Sequence, residues 1–132
     1  MSKAIEPISE ELNQLAKLTL DAAMKVHRTL GPGLLESVYE ACLVYELRKM
    51  GLNVENQVFV PVHYDGIIVS ANLRIDLMVE NQLAVELKTV EELSDLHTSQ
   101  LLTYLKLMDL RLGLLLNFNT VMLMDGMKRV AN

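Results

Sequence analysis

The sequence predicts a mixed α/β domain, and three observations carry that prediction. Apolar residues recur at helical spacing up to about Met50, alternate in twos from Asn53, and return to helical spacing after Ser94. The run LGLLLNF, Leu112 to Phe118, then does not alternate at all, which is the pattern of a central strand covered on both faces. The resulting order is helix, helix, three strands, helix, strand, strand, with the helices packed on one sheet.

Each element has its own signals. Ser9 is a good N-cap, Glu10 and Glu11 follow in the first turn, and Leu12, Leu15, Ala16, Thr19, Ala22, Ala23, Val26 and Leu30 repeat at helical spacing until Gly31-Pro32-Gly33. A second helix is expected from about Leu34 to Met50, with Leu35, Val38, Cys42 and Tyr45 as its core stripe and Gly51 as its stop. Val58, Val60 and Val62 alternate with Phe59, Pro61 and His63, and Pro61 marks an edge strand or a bulge. Asp65-Gly66 is a hairpin turn into a strand from about Ile67 to Val79, and a third strand runs from about Leu83 to Thr89. Ser94 caps a helix reaching about Asp109, with Leu101, Leu105 and Met108 toward the core. After LGLLLNF a short strand, VMLM, is expected before Asp125-Gly126 and an unassigned C-terminal segment. The return from the third strand through the helix to LGLLLNF suits a right-handed crossover between parallel strands.

The charges inside LRIDLMVENQLAVELKTV, residues 73 to 90, are conspicuous because a buried charge is costly unless paired or bound to a cation. Ile75, Leu77, Val79, Leu83, Val85 and Leu87 are odd-numbered. Arg74, Asp76, Glu80, Gln82, Glu86 and Lys88 are even, so each strand separates an apolar face from a polar one. A three-residue loop, Glu80-Asn81-Gln82, preserves that parity. It sets Val79 against Leu83, Leu77 against Val85, Asp76 against Glu86 and Arg74 against Lys88, and a two-residue loop would push charges into the core. Asp76 and Glu86 would then have Cβ atoms roughly 4.5–5.5 Å apart. Carboxylates that close repel unless a cation lies between them, and Mg²⁺ commonly takes one or two carboxylates with water and phosphate filling the rest. Lys88, two residues beyond Glu86, shares its face and can orient an attacking water or stabilise phosphate charge. The plainer reading is a solvated ion cluster on an exposed sheet face.

The bulk properties narrow the field. The chain has 132 residues, 51% of them hydrophobic, enough for a core in a single domain spanning 1–132. Its net charge of -5 and pI near 5.1 argue against holding nucleic acid by bulk basicity, although metal ions can bring the missing positive charge. The one cysteine, Cys42, excludes an internal disulfide and a Cys-rich zinc site and reads as a buried small hydrophobe. The start, MSKAIEPISEEL, is unlike a secretory signal, and no apolar run approaches the ~20 residues of a membrane span. The expectation is a soluble cytoplasmic protein with no membrane association.

The motifs GLLESVY (Gly33 to Tyr39), ELR, RIDLMV, VELKTV, HTSQLLTYLKL and DGMKRVAN occur in order. In them the chain closely resembles the GxxExxY family of small bacterial and archaeal proteins, from about Ala22 to Asn132. That family is similar to the PD-(D/E)xK nuclease superfamily. The resemblance implies a restriction-endonuclease-like αβββαβ core, a mixed sheet flanked by helices, here with an extra N-terminal helix. It matches Asp76 to the superfamily aspartate, Glu86 and Lys88 to the (D/E)xK pair, Glu36 to an acidic residue on the leading helix, and Gln100 to a polar residue on the helix after the third strand. The superfamily's proline before the aspartate is replaced by Ile75.

Two functions follow as expectations. One is a divalent-metal-dependent nuclease that hydrolyses phosphodiesters of nucleic acid. In it Glu36, Asp76 and Glu86 hold Mg²⁺ or Mn²⁺, Lys88 assists the water and Gln100 orients it. Arg74, His97, Tyr39 and Tyr104 are the further candidates for touching substrate. Plainer roles are open to several of these: charge balance for Arg74, a first-turn polar residue for His97, packing for Tyr39, and dipole compensation for Glu36. The alternative is a catalytically inactive scaffold or interaction module on the same fold, binding a protein or nucleic-acid partner as a homodimer. A thiol enzyme or serine hydrolase is disfavoured, since Cys42 has no paired His and no serine sits in a nucleophile elbow.

Overall fold

A computed structural model of the chain describes residues 6–132, at 70 and 71 the backbone alone. The first five residues, which belong to the stretch read as unlike a secretory signal, lie outside the described residues. The element order is α1 (Glu10–Leu30), α2 (Glu36–Lys49), β1 (Val54–Tyr64), β2 (Ile67–Val79), β3 (Leu83–Lys88), α3 (Asp95–Met108), β4 (Leu112–Asn117), a 3₁₀ turn (Leu123–Gly126) and β5 (Met127–Ala131). The strands form one five-stranded sheet in the order β1-β2-β3-β4-β5. β3 and β4 run parallel and the other neighbours antiparallel, so α3 is the crossover that the buried run after it required.

The local signals act as expected in most places. The Ser9 hydroxyl accepts the Leu12 N–H at 3.2 Å, and the Ser94 hydroxyl accepts that of His97 at 3.3 Å. Asp65 (φ 49°) and Gly66 (φ 79°) make the tight turn between β1 and β2. The register shifts between Val60 and Val62, at Pro61, which has no N–H to give to a ladder. Glu80-Asn81-Gln82 is the three-residue loop, with Val79 opposite Leu83 and Leu77 opposite Val85.

Helices cover both faces of the sheet. On one, α1 and α2 pack on Leu77, Val79, Leu83, Val85, Leu87, Leu112, Leu114 and Leu116. On the other, α3 packs on Ile75, Met78, Ala84 and Leu115. A Cβ at Gly113 would stand 3.1 Å from the Leu101 methyls, so this glycine lets α3 approach β4 closely. The even-numbered face of the β2/β3 hairpin is therefore no open polar surface, because Met78, Ala84 and Glu86 are all buried there.

Three expectations are corrected. The buried stripe of α2 is Tyr39, Leu43 and Leu47, whereas Leu35 is 74% exposed, Tyr45 64%, Val38 is exposed and Cys42 half-buried. Tyr39 sets this rotation: it stacks on Phe118 with ring centres 4.6 Å apart, and its hydroxyl donates to Gly31 O at 2.6 Å and accepts from Leu34 N–H at 3.1 Å. VMLM is not a strand. Of its four residues only Leu123 is buried, the chain there turns into the 3₁₀ segment, and the fifth strand is the C-terminal segment after Gly126. Leu30 ends α1 at the surface, and the inward residue of that turn is His27, bonded to Thr120 O at 2.8 Å.

Asn117, 1% exposed at the end of β4, ties the segment after β3 to the sheet. Its Oδ1 accepts the N–H groups of Val90 (3.1 Å) and Asn119 (3.2 Å), and its Nδ2 donates to Val90 O (2.9 Å). Asn117→Ala strands these partners, and its expected cost is about 2–3 kcal/mol in denaturant unfolding.

Candidate active site

The β2/β3 ladder stops at Leu77 and Val85, and beyond this pair the two strands diverge. There the side chains take over from the backbone. The Asp76 N–H donates to Glu86 Oε1 at 2.9 Å, and the Leu87 N–H donates to Asp76 Oδ2 at 2.8 Å. Each carboxylate thus caps an N–H freed on the opposite strand. β2 also rolls over at this point: Ile75 and Leu77, of like parity, bury in opposite cores. The expected simple alternation through position 75 fails for that reason, and Asp76 and Glu86, beyond the last ladder pair, meet through side-chain-to-backbone bonds.

Lys88 lies two residues beyond Glu86, half-buried, in the β3/β4 register opposite Asn117. Among the described residues it forms no ion pair within 4 Å. Glu36 opens α2, whose N-cap Leu35 supplies no side-chain acceptor, so it sits where the helix dipole favours an anion. Its field nevertheless reaches the strands. Burial, followed by Asp76 and with a smaller push from Glu40, holds its carboxyl above the usual range, with Lys88 opposing.

Glu86, only 6% exposed, is the extreme case: burial first, with Asp76 and Glu36 adding, pushes its carboxyl up to about 8, against the Asp76 N–H and Lys88. Asp76 is raised by burial and partly held down by the Leu87 N–H, Gln57 and Lys88. Tyr104 on α3 is raised by burial and by the same two carboxylates. Gln100, one turn earlier on α3, is exposed.

The remaining candidates have structural tasks. Tyr39 is fully buried with its hydroxyl committed to the α1–α2 connection, so it cannot touch substrate. Tyr39→Phe is expected to lower stability by about 1–2 kcal/mol in denaturant unfolding. Arg74 does not stand over Lys88. Its guanidinium lies 4.6 Å from the Phe59 ring centre and donates to Asn72 Oδ1 at 3.4 Å, away from the carboxylates. His97 is the N3 residue of the α3 capping box, its Nδ1 accepting the Ser94 N–H at 3.1 Å.

Two residues that sequence reasoning passed over belong to the cluster. Glu40, one turn after Glu36, is raised by burial and by Asp76. Gln57 on β1 donates from Nε2 to Glu40 Oε1 at 2.8 Å and to Asp76 Oδ1 at 3.3 Å. The i, i+4 spacing of Glu36 and Glu40 was a readable signal. The place of Gln57 was not, because the register shift between Val60 and Val62 moves it there.

Carboxylate oxygens are the ligands a hard cation takes. Glu36, Asp76 and Glu86 all feel the Lys88 ammonium, Glu40 feels Asp76, and burial nevertheless lifts all four carboxyls, Glu86 to about 8. Among the described residues no group of three or more His, Cys, Asp or Glu side chains is placed to hold a metal ion. An ion here would rest on one or two carboxylates, with water completing its shell.

A mixed sheet between helix layers, with an aspartate and an E-x-K pair where its second and third strands diverge, defines a nuclease-like domain of the restriction-endonuclease type. A family model described as the PD-(D/E)XK nuclease superfamily matches residues 13–130, and the chain belongs to that superfamily. Nucleases of this superfamily generally use divalent metal ions. No curated protein and no solved structure matches the chain. Among the described residues no helix is long and apolar enough to cross a membrane.

Proposed function

We propose that this chain is a single-domain, cytoplasmic, divalent-metal-dependent nuclease that hydrolyses phosphodiester bonds of nucleic acid. The observation that carries the reading is the reciprocal capping of β2 and β3 by Asp76 and Glu86, with Lys88 two residues further along the same strand. Asp76 and Glu86 hold Mg²⁺ or Mn²⁺, with Glu36 supplying a third oxygen ligand or binding a water of the ion. The bound ion supplies positive charge where the phosphodiester and the attacking water need it. Lys88 presents its ammonium to the phosphate oxygens that gain charge as water attacks and the ester oxygen leaves. Gln100 orients that water, and Tyr104 closes the α3 side.

Membership of the GxxExxY family belongs to the proposal, and each motif residue has a physical task that supports it. Gly33 takes φ 98°, a conformation that L side chains avoid, and so lets the chain turn into α2. Glu36 feels the charge of Asp76, and Tyr39 holds the rotation of the helix that carries it.

The test is cleavage of single- and double-stranded DNA and RNA with Mg²⁺, with Mn²⁺ and with chelator, using Glu86→Ala and Lys88→Ala as controls. Metal-dependent cleavage lost in both variants supports the reading, and cleavage unchanged in both removes it. A second reading, a non-catalytic module acting as a homodimer, is favoured by the exposed Leu34, Leu35, Val38 and Tyr45 along α2 and its approach. Sedimentation equilibrium of Leu35→Glu/Tyr45→Lys tests it: a wild-type dimer reduced to monomer supports it, and a wild-type monomer ends it.

A further inference from the structure

Gln57 adopts φ 54°, a left-handed conformation unfavourable for an L side chain, in the middle of β1. The hairpin turn does not require it. That turn sets Tyr64 against Ile67 and Val62 against Val69, and continued along β1 the same register would bring Glu55 opposite Asp76. Between the Val62–Val69 and Val60–Leu73 pairs β2 takes two residues more than β1, opposite Pro61, and this shifts the pairing by two, so that Val58 meets Ile75 and Asn56 meets Leu77. Gln57 therefore arrives opposite Asp76, where β2 rolls over and the β2/β3 ladder ends.

We infer that Gln57 is a positioning residue for Asp76: its amide, presented by the left-handed backbone, ties Asp76 Oδ1 to Glu40 of α2 and fixes the rotation of the metal-binding carboxylate. The inference rests on the reading of Asp76 as a metal ligand. Asp76 Oδ2 is already held by the Leu87 N–H, so Gln57 completes a two-point hold. Each carboxylate oxygen keeps a further lone pair for the ion. Glu40 and Asp76 both present acceptors, and only a side chain with two N–H groups can bridge them. Partners of this kind tune metal affinity by about 10–100-fold.

The test is calorimetric titration of the full chain with Mn²⁺, together with thermal melting without metal, for the wild type, Gln57→Gly and Asp76→Ala. Glycine accepts the left-handed backbone, so Gln57→Gly is expected to melt no lower than the wild type yet bind Mn²⁺ about 10–100-fold more weakly. Asp76→Ala is expected to lose binding. Wild-type affinity in Gln57→Gly, beside lost binding in Asp76→Ala, overturns the inference and leaves the metal site standing. A melting temperature that falls together with affinity assigns Gln57 to the scaffold and also overturns it. Undiminished binding in Asp76→Ala, or none in the wild type, overturns the metal reading and this inference with it.

Discussion

Glu86→Gln is expected to yield a folded protein that is more stable than the wild type at pH 8 and inactive. The glutamine keeps the length of the side chain and its Oε1, so the Asp76 N–H, bonded at 2.9 Å in the wild type, keeps an acceptor. What disappears is a charge in a place that is 6% exposed and shared with Asp76 and Glu36. Removing an uncompensated buried charge is expected to raise stability by about 1–3 kcal/mol in the metal-free protein, several degrees in melting temperature. On the proposed function the same change removes an anionic oxygen ligand. The loss of several kcal/mol of charge stabilisation corresponds to a rate lower by on the order of 10³-fold. Thermal melting and single-turnover cleavage check the two halves. A Glu86→Gln protein that melts lower than the wild type, or cleaves as well, contradicts the charge argument.

Stability of the metal-free wild type is expected to fall as pH rises from about 5.5 to 8. In the unfolded chain Glu86 titrates near 4.5, and in the folded chain near 8. Below the first value both states carry the proton. Between the two only the folded state does, so each rise in pH favours unfolding, with a slope of up to about 1.4 kcal/mol per pH unit for one group. Above the second value both are ionised and the slope vanishes. Asp76, Glu36 and Glu40 are raised as well and add in the same direction. On the proposed function Mg²⁺ or Mn²⁺ would take the proton's place, so a divalent ion is expected to flatten the curve, and Glu86→Gln to flatten it without metal. Urea unfolding across this pH range with and without chelator reads both effects. A metal-free stability that rises across the window would refute the assignment.

Much of this architecture was legible because it follows from local rules. The parity of Ile75 to Lys88 selected the three-residue loop, and that loop sets Leu77 against Val85 and leaves Asp76 and Glu86 side by side just beyond the ladder. Ser9 and Ser94 announced their helices, Pro61 its bulge, and the uniform apolar run 112–118 the central parallel strand. The α2 stripe misled because Leu35, Val38, Cys42 and Tyr45 have helical spacing of their own. Helical periodicity does not say which of two apolar stripes faces the sheet, and the Tyr39 hydroxyl, held by the α1–α2 connection, chooses.

By itself the sequence determined the order of helices and strands up to the central strand, the register of the central hairpin, and the pair of strand carboxylates with a lysine two residues on. These depend on spacing, and spacing is written in the chain. Only the tertiary structure decided that β2 turns over at Asp76, that Glu86 is buried and its carboxyl lifted, and that a two-residue shift delivers Gln57 to Asp76 in place of Glu55. Burial and electrostatic fields arise from residues far apart in sequence, and a bulge changes the partner of every residue beyond it.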